Sequence, residues 1–452
     1  MKALLAAQPT ASSLSVSTAA NVGAGTLDAL TAAGSISTFE PASANKPALP
    51  TALLEQMRVC EDEAELVKVI TPTLRALVVS GGAAENEEND PYALVLLNGE
   101  KTRWLDDLRV PMASMHRRNP DLFMTWAPLT KPLASCGASV LAGRALQLDG
   151  CIRAFFEAKK GIGAITDTDF GQLADYHSCT PGGCRGMVFN ARAVWLYASH
   201  AGHPLSLVKA EWGAPGSLEL IRDFFRPANA LPEPPLVVLM RRLALALNVV
   251  PCEAVVGGGS FLGAGGSGRV FAVRSLGDST RRALKICCNT SHADLSVEFQ
   301  LMTGAVARGA PIVSVVPNSL HLFHDVVSGR PAGGGYLMSE VLMPLDVTSY
   351  KLCVAAFTSL HALHKLGFAH GDARLPNLLR RVGGVAPVWI DMRVSVSVVD
   401  YALRADAKTL ALSILSTVSL DETVENALAS VPGDASAYTS VAAAVWLRLG
   451  EK

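Results

Sequence analysis

The sequence predicts an α+β fold over its second half and a separate α/β domain ahead of it, on three observations. Behind a glycine-rich stretch at residues 262–268, the run VFAVRSLGDSTRRALKICC alternates apolar and polar residues around Gly277 and Asp278, the pattern of a β-hairpin. Helical periodicity then takes over, interrupted by short polar loops that carry acids and amides in a fixed order. Between the halves, FRPANALPEPP at residues 225–235 interrupts a helical pattern that ends at Phe225, because proline removes a backbone donor and blocks the preceding turn.

The whole chain sets the bounds. Its 452 residues, 50% hydrophobic with mean hydropathy +0.29, suffice to bury two or three cores of ordinary domain size. Lys and Arg total 39 against 40 Asp and Glu, so no global field recruits nucleic acid or anionic membrane, and any such binding is local. The most apolar run outside the tail, LVVLM, is cut by Arg241 and Arg242, so no membrane span is expected. Nine cysteines without a CxxC pair fit a reducing compartment. His177, Cys179 and Cys184 in HSCTPGGC lack a fourth ligand nearby and read as a Pro-Gly-Gly turn rather than a zinc site.

Residues 1–48, rich in Ala, Ser and Thr, read as a disordered tail. The stretch ALLAA is too short for a secretory core, so secretion is not supported and a cytoplasmic or nuclear location is expected. The next domain spans residues 49–226, with an exposed loop expected at 80–90.

In that domain the informative residues are Asp121 in RRNPDLFMTW, Glu157 and Lys159 in CIRAFFEAKKG, and Gln172 and Tyr176 in FGQLADY. Strand alternation puts Glu157 and Lys159 on one face with the Ala158 carbonyl between them. Asp121, Glu157 and that carbonyl can hold Mg²⁺, while Lys159 orients water and stabilises developing charge on phosphorus. Gln172 and Tyr176, one helical turn apart, face the same way. Asp149 in LQLDG competes as the acid but reads as a hairpin turn. The domain carries 18 Lys and Arg against 21 Asp and Glu, so DNA contact needs a local basic patch, for which Arg117, Arg118 and Lys160 are candidates. Pro-Asp, then Glu-x-Lys, then QxxxY, over residues 110–180, resembles the restriction-endonuclease-like PD-(D/E)xK superfamily. The resemblance implies a metal-dependent nuclease fold with Asp121, Glu157 and Lys159 as its catalytic set.

Residues 227–251 read as a linker and helix, and residues 252–452 as the second domain. LGAGGSGRVFAV sets Gly263, Gly265 and Gly268 ahead of Val270 as GxGxxGxV, where bare backbone N–H groups can close over a triphosphate and Val270 meets a purine. A dinucleotide fold would run into a helix after the last glycine, whereas the hairpin here carries Lys285 on its second strand. Glu298 in DLSVEFQLM is the carboxylate expected to pair with Lys285, and Glu340 is placed with the nucleotide-binding residues. HGDARLPNLL then supplies His370, Asp372 and Asn377 as HxDxxxxN. Asp372 takes the proton of an attacking hydroxyl, Asn377 binds a metal, and Arg374 neutralises the moving phosphoryl group. VWIDM ends a strand with Asp391 as second metal ligand, and RADAKTLALSIL offers Asp406 to tie the catalytic loop down.

This stretch resembles the protein-kinase-like superfamily, which implies a two-lobed fold, ATP and Mg²⁺ as cofactors, and a protein acceptor. Three departures stand against the usual pattern. Gly371 follows the catalytic-loop His where Arg is common, Met392 and Arg393 replace Phe-Gly after the metal-binding Asp, and only 61 residues follow Asp391, so a minimal C-lobe is expected. A nuclease-like domain before a short kinase-like one resembles Crinkler-type effectors and a fungal-specific kinase family, although no Crinkler header motif is visible. The resulting expectation is an ATP-dependent phosphotransferase, foremost a protein Ser/Thr kinase. The alternatives are a small-molecule kinase of the aminoglycoside- and choline-kinase-like type and a pseudokinase scaffold with a DNA-binding or nuclease domain.

Overall fold

The computed structural model describes residues 16–41, 45–79, 94–98, 120–126, 152–178, 183–200, 203–230, 233–252, 260–264, 268–288, 292–325, 328–381, 383–384, 386–393 and 400–450. Arg117, Arg118, Asp149, Cys179, Gly265 and the 80–90 loop lie outside these residues. The chain divides into two compact units, residues 1–238 with 252–264 and residues 239–251 with 265–452.

The first unit holds helices α1 (Val16–Ala32), α2 (Thr51–Val59), α3 (Glu63–Val78), α4 (Asp167–Ser178) and α5 (Ser217–Ala230). Its strands are β1 (Ile36–Thr38), β2 (Leu94–Asn98), β3 (Leu122–Trp126), β4 (Ala154–Ala158), β5 (Gly183–Phe189), β6 (Ala193–His200) and β7 (His203–Glu211). They form one mixed sheet in the order β1–β7–β6–β5–β4–β3–β2, parallel at β1–β7 and β4–β5 and antiparallel elsewhere. The interior strand β4 is buried along its whole length, which explains its nearly continuous apolar sequence. Ala154, Phe156 and Ala158 join Ile70, Leu74 and Phe225 in a core under α3 and α5, while Phe155 turns to the other face, against Tyr176 and His177 of α4.

Two side-chain hydrogen bonds cap helix α3 and fix its first turn beside the end of β4. Asp62 Oδ1 accepts from the Glu65 N–H at 2.8 Å, and Glu65 Oε2 accepts from the Glu61 N–H at 2.8 Å. From there Leu66, Val67, Ile70, Leu74 and Val78 follow the helical repeat into the core.

The N-terminal tail departs from expectation. Helix α1 packs against α4 and β7, Leu30 is buried, and β1 adds a parallel strand to β7 in the register Ile36 to Leu207. Composition alone underrated it, because a helix weak in isolation forms when a partner face covers its apolar residues. The linker boundary also moves. Helix α5 continues through Pro227 to Ala230, residues 239–251 group with the second unit, and residues 252–264 group with the first.

The second unit takes in most of helix α6 (Pro235–Leu247), then β8 (Val249–Pro251). Beyond the short β9 (Phe261–Ala264) run β10 (Arg269–Ser275), β11 (Arg281–Cys288), α7 (His292–Ala307), β12 (His321–His324) and β13 (Pro331–Met338). The sheet path is β12–β13–β11–β10–β8, each neighbour antiparallel. A small sheet of β14 (Met343–Pro344), β15 (Leu378–Arg380) and β16 (Pro387–Trp389) follows, with helices α8 (Tyr350–Lys365), α9 (Asp400–Leu415), α10 (Glu422–Leu428) and α11 (Ala435–Gly450). Helix α11 packs on α8, α9 and α10, so the residues after Asp391 close a compact helical core.

Candidate active sites

In the second unit, the hairpin β10–β11 sets Val270 opposite Lys285. Lys285 is 2% exposed, and its Nζ donates to Glu298 Oε1 at 2.5 Å and to Asp391 Oδ1 at 2.6 Å. Burial works against that ammonium, but the Asp391 and Glu298 carboxylates outweigh it, so the pKa is raised and the lysine stays charged. Glu298 comes from α7, and Asp391 sits two residues after β16 at φ +59°, a left-handed conformation uncommon for a non-glycine residue. Three elements thus meet at one cation.

Gly268 lies just before β10, where a Cβ would come within 2.9 Å of both Cys287 Sγ and the Ile286 carbonyl oxygen and 3.3 Å of Lys285 Cε. Only a bare backbone fits so near the lysine. Gly263 lies on β9, where a Cβ would meet no atom of the described residues within 4 Å. The Glu340 carboxylate is gripped by Arg381 at 2.9–3.1 Å.

The loop after α8 hangs on Asp406 of α9. The Asp406 carboxylate is 3% exposed and accepts the backbone N–H of His370 at 2.6 Å and of Gly371 at 2.9 Å. His364 Nε2 lies 3.2 Å from the same carboxylate, and His364 Nδ1 lies 2.6 Å from the Tyr438 hydroxyl. A carboxylate accepts only, so Nε2 carries a proton. The His370 ring donates from Nε2 to the Ile390 carbonyl at 2.8 Å and accepts the Asp372 N–H on Nδ1 at 3.2 Å, and burial keeps it neutral by lowering its pKa. Its ring also lies 4.8 Å from that of Trp389.

So held, Asp372 presents its carboxylate beside Arg374, which donates from Nε at 2.6 Å and from a terminal nitrogen at 2.8 Å. Arg393 approaches to 3.8 Å. The Asn377 side-chain N–H donates to the Asp372 carbonyl at 2.9 Å and to its carboxylate at 3.2 Å, which turns the amide oxygen away from Asp372. Met392 is fully buried.

The first unit brings a second group together at the end of β4. Asp121 Oδ2 accepts the Ala158 N–H at 2.6 Å, Lys159 Nζ lies 3.4 Å from Glu157 Oε2, and Lys159 donates to Gln172 Oε1 at 2.9 Å. Burial first, then the charge of Asp121, pushes Glu157 up to about 8, against the pull of Lys159 and the Tyr176 hydroxyl. Burial likewise lifts Asp121 to about 6. Glu157 Oε1 is buried without a hydrogen-bond partner among the described residues. Glu63, at the start of α3, accepts the Lys160 N–H at 3.2 Å and adds to the negative field that raises Lys159.

Of the HSCTPGGC motif, His177 is buried with Nδ1 2.7 Å from Ser199 Oγ, and Cys184 Sγ faces the Arg153 and Arg185 carbonyls. Among the described residues no group of three or more His, Cys, Asp or Glu stands in metal-holding geometry.

Sequence reasoning missed Glu63, His364, Tyr336 and Tyr438. Asp62 with Glu65 marked the start of a helix, the one signal available for Glu63. The other three depend on strand register and helix packing, which no local pattern encodes.

Among the described residues no helix is long and apolar enough to cross a membrane. No family model matches the chain, and no curated protein matches it. Among solved structures, the PknI kinase domain of Mycobacterium tuberculosis is similar at 17% identity and TM-score 0.28, covering 44% of this chain and 96% of that one. Two double mutants of the same domain give 17% identity and TM-score 0.30, covering 45% and 44% of this chain and 96% of theirs. A likeness at that level leaves the weight on the geometry itself.

Proposed function

We propose that the second unit is an ATP- and Mg²⁺-dependent phosphotransferase acting on Ser or Thr hydroxyls of protein. The observation that carries this reading is Lys285 held between Glu298 and Asp391, within the same unit as an Asp372 loop that is hung from a buried carboxylate. Lys285 offers a fixed positive charge for the α/β-phosphates beneath the Gly268 approach. Asn377 and Asp391 would hold the metal, which when bound neutralises charge on the β- and γ-phosphates. Asp372 accepts the hydroxyl proton as the acceptor oxygen forms its bond to phosphorus and the bond to the ADP oxygen breaks. Arg374, half-exposed, can leave Asp372 for the transferred group. Radiolabelled ATP with wild-type protein and generic protein acceptors tests this. Lys285→Met should lower transfer at least about a hundredfold, the usual cost of losing a preorganised electrostatic contact. Transfer equal to wild type would reject the assignment.

A second observation supports a separate reading for the first unit, metal-dependent hydrolysis of a DNA phosphodiester. It is the buried, unpartnered Glu157 oxygen beside Asp121 and Lys159. A buried acceptor left unpaired is costly unless a ligand satisfies it. In the full chain, DNA cleavage and one of the bound Mn²⁺ ions should both be lost in Glu157→Gln, while Lys159→Ala should keep that ion and lose rate. Folded protein that does not cut DNA and whose Mn²⁺ stoichiometry is unchanged by Glu157→Gln would leave this unit without an active site.

A further inference from the structure

The Lys285–Glu298 pair has a third member. In the β11–β13 register Lys285 stands directly opposite Tyr336, so both side chains leave the sheet on one face. Helix α7 packs on β13, and its Glu298 meets both residues on a single oxygen. Oε1 accepts from Lys285 Nζ at 2.5 Å and from the Tyr336 hydroxyl at 2.5 Å. Tyr336 is fully buried, its ring edge-on to Phe299 at 5.4 Å and its hydroxyl 3.4 Å from Met302 Sδ. Burial, followed by the nearby Glu298 and Asp391 charges, keeps the phenol protonated and therefore a standing donor.

We propose that Tyr336 is a positioning residue of the phosphotransferase site, whose hydroxyl locks the Glu298 carboxylate so that Lys285 keeps its alignment when Asp391 turns to a metal. This rests on the phosphotransferase reading above. Lys285 divides its ammonium between two carboxylates at nearly equal distance. A cation taken up by Asp391 competes for one of them, and the lysine's alignment then depends on Glu298. A glutamate on a helix has three side-chain torsions to fix, and a second donor on the same oxygen removes that freedom. Phenylalanine at 336 would keep the ring packing and lose the lock, which separates positioning from filling of the core.

The test uses the full chain as wild type, Tyr336→Phe and the packing control Phe299→Leu. Three quantities are read: kcat, KM for ATP, and the rate at which an acyl-phosphate derivative of ATP acylates Lys285. Tyr336→Phe should lower kcat/KM for ATP and the acylation rate by about tenfold to a hundredfold, the range for partners that orient a functional group. Phe299→Leu should stay within about threefold. In a Glu298→Ala background the Tyr336→Phe change should have no further effect, because the hydroxyl acts through that side chain. Unchanged kinetics and acylation in Tyr336→Phe, an equal loss in Phe299→Leu, or full additivity with Glu298→Ala would each overturn the positioning role and leave the phosphotransferase reading intact. Wild-type protein that is neither acylated at Lys285 nor able to transfer phosphate would overturn that reading, and the role of Tyr336 with it.

Discussion

Replacing Asp406 by Asn tests whether the Asp372 loop is held by one buried carboxylate. The substitution keeps side-chain shape but removes the charge and turns one acceptor oxygen into an NH₂ donor. In the native structure that carboxylate accepts the His370 and Gly371 amides at 2.6 and 2.9 Å. Hydrogen bonds to a buried charged group contribute roughly 1.5–3 kcal/mol each, and a buried donor left facing another donor costs about 1–3 kcal/mol. Losing one bond and weakening the other amounts to about 3 kcal/mol, or roughly a hundredfold in an opening equilibrium. Amide hydrogen exchange followed by mass spectrometry over residues 366–375 reads that opening directly. Exchange should speed up about a hundredfold, while the β10–β11 hairpin keeps its protection. Phosphoryl transfer should fall in parallel. Loop protection equal to wild type in a folded Asn variant would refute the view that Asp406 holds the loop.

Asp372→Asn should spare Mg·ATP binding measured by calorimetry and abolish transfer, whereas Asp391→Asn should weaken that binding; normal binding by the latter would move the metal elsewhere. Deleting residues 1–41 should lower the melting temperature by several degrees and promote aggregation seen by light scattering, because it uncovers α4 and the edge of β7; an unchanged melting curve would make the segment dispensable. Burial lowers His177 to about 3, so its folded-state pKa lies below the ordinary value of 6.5. Its contribution is therefore complete above pH 6.5 and is lost as pH falls toward 3, on the order of 3 kcal/mol by pH 4.5. Denaturation curves of wild type and His177→Gln should show that slope only in wild type, and equal slopes would refute it.

Lys285 and Asp391 are 106 residues apart, yet both were legible in the sequence, as were Asp372 and Asp406. Each sits at the end of a local pattern, a hairpin, a polar loop or an amphipathic helix, whose residue types its chemistry dictates. Tyr336 was not legible, because only the pairing of β11 with β13 puts it across from Lys285. A one-residue slip of that register would send it to the opposite face. Helix α1 was hidden for a different reason. Its Ala, Ser and Thr residues carry weak periodicity, and it becomes a helix through the surface it covers on α4. In the first unit, Asp121, Glu157, Lys159 and Gln172 followed from strand alternation and helical spacing, while the reach of Glu63 from α3 required knowing how that helix docks.

The contact between His370 and Trp389 gives the loop an optical reporter of its own. The indole lies 4.8 Å from an imidazole that burial keeps neutral, and its ring is fully buried. Indole emission responds to polarity and to neighbouring charge, so any opening that wets this pair or protonates the imidazole changes both wavelength and yield. With the other tryptophans (Trp104, Trp126, Trp195, Trp212 and Trp446) replaced by Phe, the order of the loop around Asp372 could be followed in real time, without a label, as nucleotide or acceptor is added.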